Sequence, residues 1–140
     1  MFKFNIIILA IGFLLASYLP ANAADPENDP QNTTSYDCCL DKAGSTAALI
    51  DCTANEYKRL DKILNVNYKK IMKSKISQRD KDKIKNMQRN WLAHREQMMK
   101  TLSELYADQG SLGRLQLDQE ANVILRSQAI IISNLASDPN

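Results

Sequence analysis

Three cysteines are the residues in this chain whose type and spacing could support chemistry. They lie within DCCLDKAGSTAALIDC at residues 37–52, as Cys38, Cys39 and Cys52, and the chain has no other cysteine. A zinc site usually takes four ligands, arranged as C-x-x-C pairs or combined with histidines. This chain has no C-x-x-C spacing and one histidine, so we predict no metal, no cofactor and no redox dithiol. The simplest chemistry that remains is a structural disulfide.

The disulfide could join three different pairs of these cysteines. A bridge between the adjacent Cys38 and Cys39 would be strained, which leaves either of them as the partner of Cys52. Spacing and composition do not choose between these two. Either bridge would close a loop of about fourteen residues and contribute roughly 3 kcal/mol by restricting the unfolded chain.

The remaining polar residues do not indicate an enzyme. A catalytic histidine needs a nucleophile and an orienting acid, and no G-x-S-x-G or comparable signature accompanies His94. Glu56 and Asp61 could act as paired carboxylates in acid–base catalysis. They lie among many lysines and arginines, so we interpret them as members of ion pairs. We therefore predict that the protein is not an enzyme.

The first residues of the chain indicate export. An apolar run, IIILAIGFLLASYL, follows Lys3, and Ala21 and Ala23 then form an A-x-A cleavage signal. The run is shorter than the roughly twenty residues that a spanning helix needs. We predict a signal peptide over residues 1–23 and a mature chain in the periplasm or outside the cell, where disulfides persist.

The mature chain divides into a short leader and one domain. Residues 24–35, ADPENDPQNTTS, contain two prolines and almost nothing apolar, so they are predicted to be a mobile leader. Residues 36–137 are long enough for one domain with a single core. The domain carries three segments with helical spacing of apolar residues and none with period two.

These segments predict an all-α fold, a small helical bundle built on a long antiparallel helical hairpin plus a C-terminal helix. The first helix is expected to run from a cap at Ser45 or Thr46 to about Lys75, after a short helical turn around residues 37–43. The second helix begins at Ser77 with Asp80 three positions later, a variant of the capping box. The third helix follows a break at residues 107–111, and its predicted buried stripe is Leu117, Ala121, Ile124, Gln128, Ile131 and Leu135.

The short connection between the first two helices predicts the register of the hairpin. A turn centred near residue 76 places Trp91 beside residues 60–64 and Arg95 level with Tyr57. A charge at a helix interface is costly unless it is paired. We therefore predict that Arg95 pairs with Asp61 or, failing that, with Glu56.

The basic residues are concentrated in the middle of the chain. The net charge is −5 over residues 24–52, +9 over residues 53–100 and −3 over residues 101–140. A basic surface can bind nucleic acid, lipopolysaccharide or anionic lipid. The lysines that could hold such an anionic ligand are Lys69, Lys70, Lys73, Lys75, Lys81, Lys83 and Lys85.

Several of these residues form a pattern that resembles a known family. The cysteine pair and the segments EYKRLDKILNVNYKKIM at 56–72 and QRNWLAHRE at 88–96 resemble the LprI-type lysozyme-inhibitor family of exported bacterial proteins. In that family a cysteine precedes D-x-x-L-N-x-x-Y, and a later helix carries Q-x-x-W-x-x-x-R. The matching positions here are Cys52, Asp61, Leu64, Asn65, Tyr68, Gln88, Trp91 and Arg95.

The resemblance carries expectations about both structure and function. It implies that Cys39 pairs with Cys52 and leaves Cys38 spare. It also implies an exported, non-enzymatic protein-binding domain with lysozyme as the candidate partner. Many relatives have a further cysteine where this chain has Met99, with its partner in the last helix. This chain lacks that second staple, so we expect packing alone to hold the last helix.

Charge bears on the choice between this function and its main alternative. Lysozymes are commonly cationic, so the segment around Asp37, Asp41 and Asp51 has the matching sign and the basic hairpin does not. The alternative is an envelope or secreted factor that binds an anionic ligand through the seven lysines. Binding of that second kind would weaken steeply as salt rises.

Overall fold

The computed structural model describes residues 25–138, so the signal peptide predicted over residues 1–23 lies outside the described residues. Within that range the chain forms four α-helices and two short 3-10 turns, with no strand, which confirms the all-α prediction. The 3-10 turns are Pro26–Asn28 and Ala107–Gln109. The helices are α1 (Thr34–Lys42), α2 (Thr46–Lys73), α3 (Gln78–Leu105) and α4 (Gly110–Ser137).

Two serines start the long helices of the hairpin. The Ser45 side chain accepts a hydrogen bond from the Ala48 N–H at 3.2 Å, and that of Ser77 accepts one from the Asp80 N–H at 3.1 Å. Ser77 also donates its hydroxyl to the Asp80 carboxylate at 2.6 Å. This hydrogen bond, together with Lys83, lowers the pKa of Asp80. Each serine satisfies an N–H that has no partner within its helix, and both predicted starts are confirmed.

The core lies between α2 and α4, which run parallel to each other. Near one end Asn122 donates to the Thr53 carbonyl at 2.9 Å, and near the other Asn67 donates to Ser133 at 3.0 Å. Alanines in α4 allow a close approach of the two helices, because they present little side chain at the contact. The buried core residues are Leu60, Leu64, Ile71, Leu125, Ala129, Ile132 and Ala136.

The buried face of α4 differs from the predicted stripe. Ala121 and Gln128 are buried as expected. Other buried apolar residues of this face include Leu115, Leu125, Ile132 and Ala136, while the predicted Leu117 and Ile124 are only partly buried. Ile131 is 45% exposed and Leu135 is 37% exposed. Three isoleucines stand in a row at 130–132, so periodicity alone could not select the side of the helix that packs on α2.

Helix α3 completes the predicted hairpin but stands away from α2. Tyr57 and Arg95, which the turn at residue 76 places level with each other, are hydrogen-bonded, so the predicted register is confirmed. The closest neighbour of α2 is nevertheless α4, and α3 has few close backbone approaches to α2. Apolar residues of α3 such as Ile84, Met87 and Trp91 are only partly buried against the core. A groove therefore remains open between the two helices of the hairpin.

Polar contacts as well as packing hold α4 in place. The buried Gln128 donates its amide to the buried Gln88 of α3. Asn122 is also buried and bonds the α2 backbone. A buried amide group is costly without a hydrogen-bond partner, so the bonds donated by Gln128 and Asn122 favour one rotation of α4, although the Asn122 Oδ1 atom has no partner in the described chain. The expectation that packing alone holds this helix is therefore wrong.

A buried carboxylate connects the N-terminal segment to the bundle. Glu56 of α2 is 3% exposed and accepts hydrogen bonds from Arg59 at 2.8 and 2.9 Å and from Arg126 of α4 at 2.8 Å. The bond to Glu56 raises the pKa of Arg59 above its ordinary value. Both arginines keep further N–H groups free to bond elsewhere. The interpretation of Glu56 as an ion-pair member is confirmed.

Those arginine N–H groups bind the backbone of the predicted leader. Arg59 donates to the carbonyls of Glu27, Asp29 and Asn32 at 2.8–3.0 Å, and Arg126 donates to that of Pro30 at 3.1 Å. While its mobility stays a prediction, this segment packs against the bundle and leads directly into α1. Its composition gave no sign of this, because the atoms that are held belong to the backbone.

Helix α1 is fastened to α2 by the disulfide between Cys39 and Cys52, whose Cα atoms are 5.8 Å apart. This is the pair that the family resemblance implies. Cys38 is exposed and unpaired. Tyr36 of α1 is partly buried, and this burial raises the pKa of its phenol.

We expect Glu56→Gln to be strongly destabilising. Removing the carboxylate leaves two partly buried arginines without their counter-charge, which typically costs about 3–5 kcal/mol. Urea unfolding followed by circular dichroism measures this loss, and Glu104→Gln, at an exposed position on α3, is the control. Amide exchange at residues 26–33 should also accelerate. A loss no larger than that of the control would show that Glu56 does not organise this end of the molecule.

We also expect Gly113→Ala to be destabilising. A Cβ at Gly113 would lie 2.3 Å from the Tyr106 carbonyl oxygen, which belongs to the backbone of the α3–α4 connection. Relieving such an overlap typically costs about 1–3 kcal/mol. Gly44→Ala is the matched control, because nothing lies within 4 Å of the added atom. Equal unfolding midpoints for the two variants would contradict this account of the connection.

Candidate functional site

The groove between α2 and α3 collects the residues on which the resemblance to the LprI-type pattern depends. It has a volume of about 380 Å³. Beyond the cysteine, all seven matching positions line it, together with Lys85, Arg89 and Leu92. The seven are Asp61, Leu64, Asn65, Tyr68, Gln88, Trp91 and Arg95. We call this feature the α2–α3 groove.

Four of these seven residues form the floor of the groove and also contribute to the packing of the bundle. Leu64 is a buried core residue, and Tyr68 and Trp91 pack partly buried against the same core. Gln88 is buried and bonds Gln128 of α4. These four residues would be needed even if the groove bound nothing.

Arg95 is held differently from the prediction. Its guanidinium donates to the Tyr57 hydroxyl and lies between two aromatic rings, 5.4 Å from the Tyr57 centroid and 5.5 Å from the Trp91 centroid. Neither Asp61 nor Glu56 pairs with it, so the predicted ion pair is wrong. The rings take the place of a carboxylate because a cation is attracted to an aromatic face.

The two carboxylates offered as partners have other contacts. Glu56 is already bound to Arg59 and Arg126. Asp61 accepts a hydrogen bond from Asn65, one turn along the same helix, at 3.0 Å. Among the described residues no cation pairs with Asp61, so its interpretation as an ion-pair member is wrong.

The polar side chains Asn65, Lys85 and Arg89 at the rim of the groove make hydrogen bonds or ion pairs only within their own helices, so these bonds do not join one helix to another. Asn65 bonds only within its own helix turn, to the Asp61 carboxylate and carbonyl. Arg89 bonds Asn86 one turn away, and Lys85 lies 3.5 Å from Asp82 on the same helix. An apolar floor with a few polar groups at the rim is the usual composition of a ligand site. Lys85 and Arg89 join the site only through the tertiary structure, because neither belongs to the motif.

The seven lysines considered for an anionic ligand lie on both sides of the hairpin turn, and they line different surfaces there. Lys69, Lys70 and Lys73 line a shallow surface at the end of α2, whereas Lys85 lines the α2–α3 groove. Lys83 pairs with Asp80 at 2.9 Å, and the carboxylate of Asp80 reduces the local positive charge. The lysine set as a binding site stays a prediction.

The opposite end of the bundle is acidic. Asp37 and Asp41 of α1 and Asp51 of α2 are exposed beside the disulfide, and Asp25, Glu27 and Asp29 are exposed on the segment before α1. The nearby arginines, Arg59 and Arg126, face inward on Glu56. Lys42 of α1 is the one exposed cation on residues 25–51, so a net negative charge is left at this surface.

The remaining candidates from the sequence are a catalytic histidine and a metal site, and the described residues form neither as an assembled site. His94 is exposed on α3. Between residues 25 and 138 no cluster of three or more histidine, cysteine, aspartate or glutamate side chains could hold a metal ion. None of the described helices has the length and apolar character needed to cross a membrane.

Comparison with known proteins adds one match. The chain matches no curated protein and no solved structure. The sequence model of a family described as lysozyme inhibitor LprI matches residues 39–129. That range begins at the disulfide-bonded Cys39, contains the whole α2–α3 groove, and covers more than half of the chain. The chain therefore belongs to the LprI lysozyme inhibitor family.

Proposed function

We propose that this protein is an exported, non-enzymatic binding domain that inhibits a lysozyme. The family match is the observation that carries the proposal, because the family is described by that activity. The match extends from within α1 to within α4, so it includes both helices of the hairpin and is not limited to an isolated motif. Export is consistent with the predicted signal peptide and with the Cys39–Cys52 disulfide, which an oxidising compartment would preserve.

We further propose that the acidic end of the bundle approaches the enzyme. A cationic lysozyme would be attracted to exposed carboxylates and repelled by the lysines at the hairpin turn. Asp37, Asp41 and Asp51 are exposed on neighbouring helices that the disulfide holds together. A rigid support of this kind lowers the entropy cost of binding.

The direct test is an inhibition assay with mature protein and chicken-type lysozyme. At micromolar protein we expect reduced cell-wall hydrolysis and a complex in gel filtration. Both effects should weaken as salt rises, since salt screens exposed charges. Full lysozyme activity and separate elution of the two proteins would remove the proposal.

Matched double variants test which end approaches the enzyme. Asp37→Asn with Asp51→Asn should raise the inhibition constant about tenfold, because two carboxylates are lost from the approaching surface. The control is Asp80→Asn with Asp82→Asn at the basic end. Asp37 and Asp80 each accept one hydroxyl hydrogen bond at 2.6 Å, while Asp80 and Asp82 also pair with Lys83 and Lys85, so the unfolding midpoints of both doubles are measured beside the inhibition constants. Equal loss in both doubles would assign binding to another surface.

A further inference from the structure

Arg95 has hydrogen-bonding capacity that the fold does not use. Its guanidinium bonds the Tyr57 hydroxyl. The Nε atom is buried and has no hydrogen-bond partner within the described chain, and Nη1 of the partly exposed side chain makes no hydrogen bond there either, so Nη1 is the donor that a ligand can reach. A guanidinium has five N–H donors and commonly binds a carboxylate through two of them. Arg95 lines the α2–α3 groove, where a carboxylate from outside could meet it.

Two aromatic side chains fix the position of the Arg95 guanidinium before any anion binds. Tyr57 and Trp91 contact it from two helices, with ring centroids 5.4 and 5.5 Å from its central carbon. A side chain already fixed in position loses less entropy when it binds. The contact with the rings leaves the positive charge in place, whereas a salt bridge within the protein would have neutralised it.

The charges around the groove favour an anion of single charge. Lys85, Arg89 and Arg95 line it with one carboxylate, Asp61. The excess of positive charge attracts an anion, while Asp61 on the α2 side repels one that carries several charges. A carboxylate fits this balance better than a phosphate dianion or a nucleic-acid backbone.

The size and floor of the groove indicate what accompanies that carboxylate. The groove has a volume of about 380 Å³, and its floor includes Leu64, Tyr68 and Trp91. A space of this size takes a few side chains, not a whole protein domain. Its α3 wall runs from Lys85 to Arg95, roughly 15 Å at the rise of an α-helix, which is about the length of an extended peptide of four residues.

From these observations we propose that the α2–α3 groove binds a short peptide segment that carries a carboxylate beside an apolar side chain. Arg95 donates hydrogen bonds to the carboxylate, and the floor at Leu64 and Trp91 receives the apolar group. This site is separate from the acidic end considered for lysozyme. Its occupancy does not depend on whether lysozyme is inhibited.

The single tryptophan of the chain makes the site directly observable. Trp91 is the only tryptophan, so its emission, excited at a wavelength that tyrosine does not absorb, reports the groove itself. The probes are terminally blocked tripeptides with a central glutamate between two leucines, two phenylalanines or two alanines. Each has a counterpart with glutamine in place of glutamate. We expect a saturable change in emission with a leucine or phenylalanine peptide, and dissociation constants about tenfold weaker for its glutamine counterpart.

Three variants separate the proposed contacts from a general effect on the fold. Arg95→Gln should bring the glutamate peptide down to the affinity of the glutamine peptide. Asp61→Asn should strengthen binding of the glutamate peptide about threefold by removing a like charge. Asp61 bonds only Asn65 within its own helix, so this change should leave the fold intact. Lys69→Gln, outside the groove, should have no effect.

Several results would overturn the proposal. These are no saturable change with any glutamate peptide, equal affinity for glutamate and glutamine peptides, or tighter binding of inorganic phosphate or heparin than of the peptides. If Arg95→Gln unfolds by circular dichroism, the Asp61→Asn result decides, and an unchanged or weaker affinity in that variant contradicts the assignment.

Discussion

A buried carboxylate on α2, Glu56, holds two arginines whose remaining donors bind the backbone of the N-terminal segment. The parts it connects come from three distant regions of the sequence. An ion pair in the interior repays its desolvation only when its geometry and additional hydrogen bonds are good. Here the additional bonds go to backbone carbonyls of residues 27–32. Burial of one charge therefore sets the position of a segment that has almost no apolar side chains of its own.

The arrangement of charges at the surface follows from that interior pair. Arg59 and Arg126 are turned inward, so they do not neutralise the exposed aspartates of α1 and of the segment before it. The lysines lie near the α2–α3 turn, at the opposite end of the bundle. A chain that is close to neutral as a whole thus presents separate acidic and basic ends, and partners of opposite charge would approach different ends.

The groove results from unequal packing of the three long helices. The close α2–α4 contact uses alanines of α4 and the largest buried side chains of α2. Helix α3 contributes partly buried residues and stands off from α2. Leu64, Tyr68 and Trp91 consequently serve both as the edge of the core and as the floor of an open groove. Arg95 lies against two aromatic rings in the lining of this groove.

Short-range features of this protein could be determined from the sequence alone. The helices begin at Ser45 and Ser77 because each serine bonds an N–H within the next turn, and the hairpin register follows from a short connection. Long-range partners were decided by the tertiary structure. Arg95 contacts Tyr57 and Trp91 instead of a carboxylate, and Glu56 pairs with Arg126, seventy residues away. These choices depend on how each helix is rotated about its axis. Apolar periodicity does not fix that rotation where isoleucines follow one another, as at residues 130–132.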